Sequence, residues 1–198
     1  MKVFSTLADD NLIRLIKSGA VGVLPTDTVY GLVALATNEQ ATKRLYELKQ
    51  SDKKPGTLIA ASIDQLVDLG VKARYLKAVE QYWPNPISVV IPLGTVLPYL
   101  HQGLYSIAIR IPSEPAIIAL LEQTGPLITT SANHTGEPPA STMQSAQKYF
   151  GDTVDFYVDG GDISNRQAST IIRIVDDAVE VLRKGSIMID EETGRIMS

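Results

Sequence analysis

Short β-branched apolar runs alternate with stretches of helical period along this whole chain, and that alternation restricts it to α/β architectures. Residues 20–24 (AVGVL), the run that follows PTDTVYG, residues 57–61 (TLIAA), NPISVVIPL, YSIAIRIP and residues 126–130 (PLITT) read as strands. Between them lie helical patterns. Asp9 or Asp10 is placed to cap a helix bearing Leu12, Ile13, Leu15 and Ile16, ended by Gly19. Thr37 or Asn38 is placed to cap EQATKRLYELK, where Ala41, Leu45 and Leu48 share one face. Residues 63–69, 73–83, 114–122 and 141–149 are further helices. The tail (TVDFYVDGG, STIIRIV, VEVLRKG) returns to strand. The expected fold is one α/β domain over residues 1–198, with a twisted, mostly mixed or antiparallel sheet flanked by helices.

Composition narrows the function classes. No cysteine is present, which excludes disulfides, thiolate catalysis and cysteine–metal sites, and fits a reducing, cytoplasmic location. No apolar run is long enough to cross a bilayer, and MKVFSTLADD lacks the apolar core of an export signal, so no membrane role is expected. A formal net charge of −4 gives no support for a dedicated nucleic-acid binder. The P-loop, the dinucleotide fingerprint, G-x-S-x-G and H-E-x-x-H are absent, and His101 and His134 are far apart.

Three strand-end loops concentrate small polar groups: LPTDTVYG (24–31), TTSANHTG (129–136) and DGGDISNRQAST (159–170). Hydroxyls, an amide and glycine-rich backbone can hold phosphate and ribose oxygens, although Ser, Thr, Asn and Gly also favour ordinary turns. Lys49 falls where the second helix gives way to a loop, in position either to aim an ammonium at phosphate or to end a solvated helix. Strand alternation in IAIRI sets Ile107, Ile109 and Ile111 on one face and Ala108 and Arg110 on the other. Arg110 there needs an anion, an ion-pair partner or an exposed face. Arg183, in VLRKG, poses the same question.

LPTDTVYGL, LYELKQ, YWPNPISVVI, SIAIRIP, PLITTSANHTGEPP and STIIRI…LRKG follow one another in an order that resembles the threonylcarbamoyl-AMP synthase family, the YrdC-like Sua5/TsaC proteins, over about residues 12–185. The chain is similar to the short, single-domain form. The resemblance implies a YrdC/RibB-like fold and the joining of L-threonine, bicarbonate and ATP into threonylcarbamoyl-adenylate, with Mg2+ held mainly by the ATP phosphates. It also implies coupling to the complex that transfers the threonylcarbamoyl group to adenosine 37 of tRNA. By the same resemblance Lys49, Ser131 and Asn133 are catalytic. Lys49, Arg110, Thr129, Ser131, Asn133, Ser169 and Arg183 bind nucleotide and phosphate, and Thr26, Thr28, Tyr30 and Arg110 face threonine and carbamate. Thr130 would help build the pocket wall.

One departure stands out. The family reads K-x-R after the second helix, and here Ser51 occupies the arginine position, with Lys53 and Lys54 close by. A serine supplies neither the charge nor the five donors of a guanidinium. Two alternatives therefore remain: the related YciO-like branch, with weak or different nucleotide-dependent activity, and a module binding tRNA or double-stranded RNA through Lys43, Arg44, Lys49, Lys53 and Lys54.

Overall fold

The computed structural model describes residues 1–50, 54–176 and 178–197. Helix α1 (Asp10–Lys17) starts where the Asp9 carboxylate accepts from the backbone N–H groups of Asn11 and Leu12. Helix α2 (Glu39–Lys49) starts at Asn38, whose Oδ1 accepts from Ala41 N–H. These side chains satisfy donors that the first helical turn leaves open. Helices α3 (Ile63–Asp68), α4 (Ala73–Lys77), α5 (Pro98–His101), α6 (Pro115–Thr124) and α7 (Met143–Phe150) follow, the last opened by a Thr142–Ser145 capping box.

The strands are β1 (Lys2–Phe4), β2 (Gly22–Pro25), β3 (Tyr30–Leu35), β4 (Thr57–Ile59), β5 (Ile87–Pro92), β6 (Ser106–Arg110), β7 (Leu127–Ser131), β8 (Phe156–Val158), β9 (Thr170–Val175) and β10 (Ala178–Arg183). They form one mixed sheet, the sheet type the sequence predicts, and its strand order is β1-β8-β2-β3-β7-β4-β6-β5-β9-β10.

Two differences concern local elements. The helix expected over 73–83 stops at Lys77 and resumes as a 3-10 turn, Glu80–Tyr82. Trp83 precedes Pro84, which disfavours helical backbone, and the Trp83 ring is instead buried with Nε1 donating to Ile87 O. Strand β1 and helix α5 have three and four residues, too short to show a period.

Alternation along the strands separates two cores. Val23, Leu32, Leu58 and Ile128 pack with α2, α5 and α7 on one face. Leu24, Val33, Ile59 and Leu127 pack with α1 and α6 on the other. Cross-strand register continues that second face beyond these helices: Gly31 pairs with Ser131, Thr57 with Thr129 and Ala108, Ser88 with Ile171, and Ile171 with Arg183. Where α1 and α6 end, the sheet face becomes a floor of small residues at its centre. The site lies there.

Candidate active site

The floor opens into a cavity of about 290 Å3 walled by the 26–29 turn, the end of α2, the loop after β7 and the start of β9. Small side chains make it possible. A Cβ on Gly31 would lie 2.5 Å from Thr129 Oγ1, and one on Gly56 would lie 2.6 Å from Thr129 O. Thr26, Thr28, Lys49, Arg110, Thr129, Thr130, Ser131, Asn133, Ser169 and Arg183 all line this one space, although they come from six separated stretches of chain. Tyr30 does not line it. Its ring is fully buried in the core, and its hydroxyl donates to Gly161 O and accepts from Gly160 N–H, which ties β3 to the 159–161 loop. Ser51 and Lys53 lie outside the described residues, whereas Lys54 lines the cavity.

One wall is built around Lys49. Gln50 adopts a left-handed backbone (φ 52°) that ends α2 and leaves Lys49 in its last turn. The ammonium is buried and donates to Ser131 O (2.8 Å), Asn133 O (2.8 Å), Asn133 Oδ1 (2.8 Å) and, at longer range, Ser131 Oγ (3.2 Å). Burial lowers its pKa from 10.5 to about 8. The Asn133 amide is used at both ends, since Nδ2 donates to His134 O (2.8 Å) and Glu137 O (2.7 Å).

The opposite wall is built around two arginines. Arg110, at the end of β6, is 3% exposed and donates to Asp27 Oδ1 (3.0 Å) and, more weakly, to Ser88 Oγ (3.4 Å). Ser88 Oγ lies 3.0 Å from Ser169 Oγ, and Arg183 grips Ser169 through its carbonyl (2.8 and 3.0 Å) and hydroxyl (2.9 Å). A Ser88–Ser169 bridge therefore joins the two guanidiniums. Burial, then the neighbouring Arg110, lowers the Arg183 pKa. Thr26 and Thr28 close the end of the cavity through a mutual hydroxyl contact of 3.0 Å, with Thr26 also donating to Val29 O.

Asp27 and Ser88 carry this wall, and reading the sequence residue by residue missed both. A signal for Asp27 exists: it is the sole acid in the PTDTVYG loop, and Arg110 needs a buried partner. Ser88 has no such signal, because only β5–β9 pairing brings it to Ser169. Gly185 sets how close the end strands approach. A Cβ there would sit 2.3 Å from Ala168 O and 2.4 Å from the Ser169 carbonyl carbon. Gly185→Ala is expected to push Ser169 off Arg183, cost about 1–3 kcal/mol and weaken anion binding at the cavity. Thermal melts and phosphate titration would check this, and unchanged phosphate affinity would sink it.

The family model for Sua5, YciO and YrdC proteins, described as "Telomere recombination", matches residues 14–185. The chain belongs to this family. It is 36% identical to threonylcarbamoyl-AMP synthase of Marinobacter nauticus, over 82% of this chain and 88% of the relative. The fold superposes on Pyrococcus abyssi Sua5 complexed with L-threonine with a TM-score of 0.83 and 27% identity, covering 96% of this chain and 59% of that one. The chain thus spans less than two thirds of that longer Sua5 protein. Escherichia coli YciO shares the fold (TM-score 0.79, 24% identity, 94% of this chain and 97% of that one). The matched residues 14–185 include Lys49, Arg110 and Arg183.

Proposed function

We propose that this chain is a threonylcarbamoyl-AMP synthase, acting on L-threonine, bicarbonate and ATP. The observation that carries the reading is the convergence of Lys49, Arg110 and Arg183 on one cavity floored by Gly31, Thr57, Ala108 and Thr129. Threonine's neutral amine attacks the carbon of bicarbonate: the N–C bond forms, a C–O bond breaks, and the oxygen leaves as water with the proton lost from nitrogen, giving a carbamate. A carbamate oxygen then attacks the α-phosphorus of ATP, and the bond to the β-phosphate oxygen breaks to release pyrophosphate. Carbamate, triphosphate and pyrophosphate are all anions, so the chief physical task is to bring like charges together in line. Among the described residues, Lys49, Lys54, Arg110 and Arg183 line the cavity and no carboxylate does, Asp27 standing behind Arg110 as its ion-pair partner, so the lining has the required sign. The Ser131 hydroxyl and the Thr26–Thr28 pair offer short-range hydrogen bonds, and the small floor residues let substrate approach the backbone.

Among the described residues no group of three or more His, Asp or Glu is placed to hold a metal; Asp27 gives Oδ1 to Arg110, and its buried Oδ2, without a hydrogen-bond partner, is a lone oxygen and not a ligand set. Mg2+ is proposed to enter as MgATP, carried by the phosphates. The downstream roles in this reading are delivery of the adenylate to the tRNA threonylcarbamoyl-transfer complex and a cytoplasmic location. No helix among the described residues is long and apolar enough to cross a membrane.

The deciding experiment follows pyrophosphate release and adduct mass with purified protein, MgATP, bicarbonate and L-threonine, with L-serine and bicarbonate-free controls. Adduct that requires both threonine and bicarbonate supports the synthase. Nucleotide binding without adduct would favour the YciO-like reading, for which Ser51 in place of the family arginine is the specific observation. The RNA-binding reading loses much of its basic cluster: Lys43 pairs with Glu39, Arg44 with Asp155, and Lys49 is buried. Salt-independent elution from tRNA would remove it altogether.

A pH dependence follows from Lys49. Its ammonium is charged below about pH 8 and is lost as pH rises through that value. MgATP affinity is expected to fall between pH 7.5 and about 9.5. Stability moves the other way. The native state binds fewer protons at Lys49 than the unfolded chain between about 8 and 10.5, so this group's contribution rises with pH across that window. Nucleotide titrations that stay flat over this range would contradict the assignment.

A further inference from the structure

We infer that Lys49 is a positioning residue: its ammonium is a tripod that holds the 131–136 turn in shape, and it acts on the bound anion through that turn and through its charge, without donating a hydrogen bond to phosphate. The nature of the anion rests on the proposed function. The tripod itself does not.

The count of donors carries the inference. A lysine ammonium has three N–H bonds and no acceptor. Three oxygens that can only accept surround Nζ at 2.8 Å each: Ser131 O, Asn133 O and Asn133 Oδ1. The orientation of the Asn133 amide is set independently, because its other end faces two carbonyls, His134 O and Glu137 O, and must be the NH2. All three Lys49 protons are therefore engaged by the turn. The fourth neighbour, Ser131 Oγ at 3.2 Å, receives at most a shared bond. That hydroxyl keeps its own proton to donate into the cavity that Ser131 lines.

A second contact runs in the reverse direction. Thr135 Oγ1 lies 3.2 Å from both Lys49 O and Gln50 O, where it caps carbonyls that the end of α2 leaves without helical partners. The end of α2 and the turn thus clasp each other, side chain to backbone, both ways. All four oxygens that accept from Nζ among the described residues are neutral groups, so the clasp itself does not cancel the positive charge beside the cavity.

Hydrogen exchange on the full chain, without ligand, tests this directly, together with MgATP titration. The variants are Lys49→Met, Lys49→Arg and Thr135→Val. K49R keeps the charge, but a flat guanidinium cannot aim three N–H bonds from one nitrogen at converging acceptors. Amides of residues 131–137 are expected to exchange about tenfold faster or more in K49M and K49R, and by a smaller factor in T135V. MgATP binding should weaken in the same order, with exchange in β1 and β8 unchanged. If K49M fails to fold, K49R and T135V carry the test. Wild-type exchange rates at 131–137 in K49R would overturn the inference, and the same rates in K49M with MgATP binding lost would make Lys49 a direct phosphate ligand. Failure of the wild-type chain to bind MgATP would count against the proposed function, while the exchange rates would still decide the tripod.

Discussion

Replacing Arg110 by alanine is expected to abolish adenylate formation and to lower stability by about 3–5 kcal/mol. The two losses have separate causes. The guanidinium is one of the cations that line the cavity, so its removal takes charge from the site where carbamate and triphosphate must meet. The Asp27 carboxylate, whose side chain is 2% exposed, then loses the one ion-pair partner it has among the described residues, Arg110 at 3.0 Å from Oδ1, while its Oδ2 is already buried without a hydrogen bond. Desolvation already presses on this pair: burial lowers the Arg110 pKa while Asp27 raises it. The double variant Asp27→Asn with Arg110→Met removes both charges and should recover much of the stability but none of the turnover. Urea unfolding at pH 7 beside a pyrophosphate assay would separate the effects. An R110A protein within about 1 kcal/mol of the parent would show that the ion pair does not hold the end of β6 to the 26–28 turn.

The second large effect is expected at Asn133. Asn133→Ala removes one acceptor from Lys49 and both donors that bridge His134 O and Glu137 O, at a site 6% exposed. Buried hydrogen bonds left half-made put the loss at about 2–4 kcal/mol. Turnover should fall by about a hundredfold or more, since the turn carrying Ser131 would no longer be fixed to better than about 1 Å. Near-normal turnover in N133A, with the protein folded by circular dichroism, would remove the turn from the site.

The resemblance implies a phosphate-binding role for Asn133, and in the structure its side chain bonds to Lys49, His134 O and Glu137 O. Each polar atom of the amide already has protein partners. A side chain in that state shapes a site through its neighbours, here Lys49 and the 131–137 backbone. Tyr30 illustrates the same point more strongly. It sits in the PTDTVYG loop among residues that line the cavity, yet strand β3 begins with it and alternation turns its ring into the core. Gly31, the next residue, is the one that faces the floor.

Much of the architecture was legible because it is local. Period and caps alone placed α2 at EQATKRLYELK, and the structure has it at Glu39–Lys49 with Asn38 as the cap. Alternation in IAIRI put Ile107 and Ile109 opposite Arg110, and the structure buries those isoleucines in the large core on the face away from the cavity. What needed tertiary structure was everything that depends on strand order. Asp27 meets Arg110 across 83 positions of chain, and Ser88 meets Ser169 across 81. No periodicity records such distances, because β4, β6 and β7 lie adjacent only through crossovers that local propensity does not encode. The sequence by itself determined which side chains can carry charge to an anion: Lys49, Arg110 and Arg183 stand at element ends whatever the topology. Only the folded sheet decided that they face one cavity, that Asp27 pairs with Arg110 at its edge, and that the ammonium of Lys49 is spent on holding its neighbour's turn.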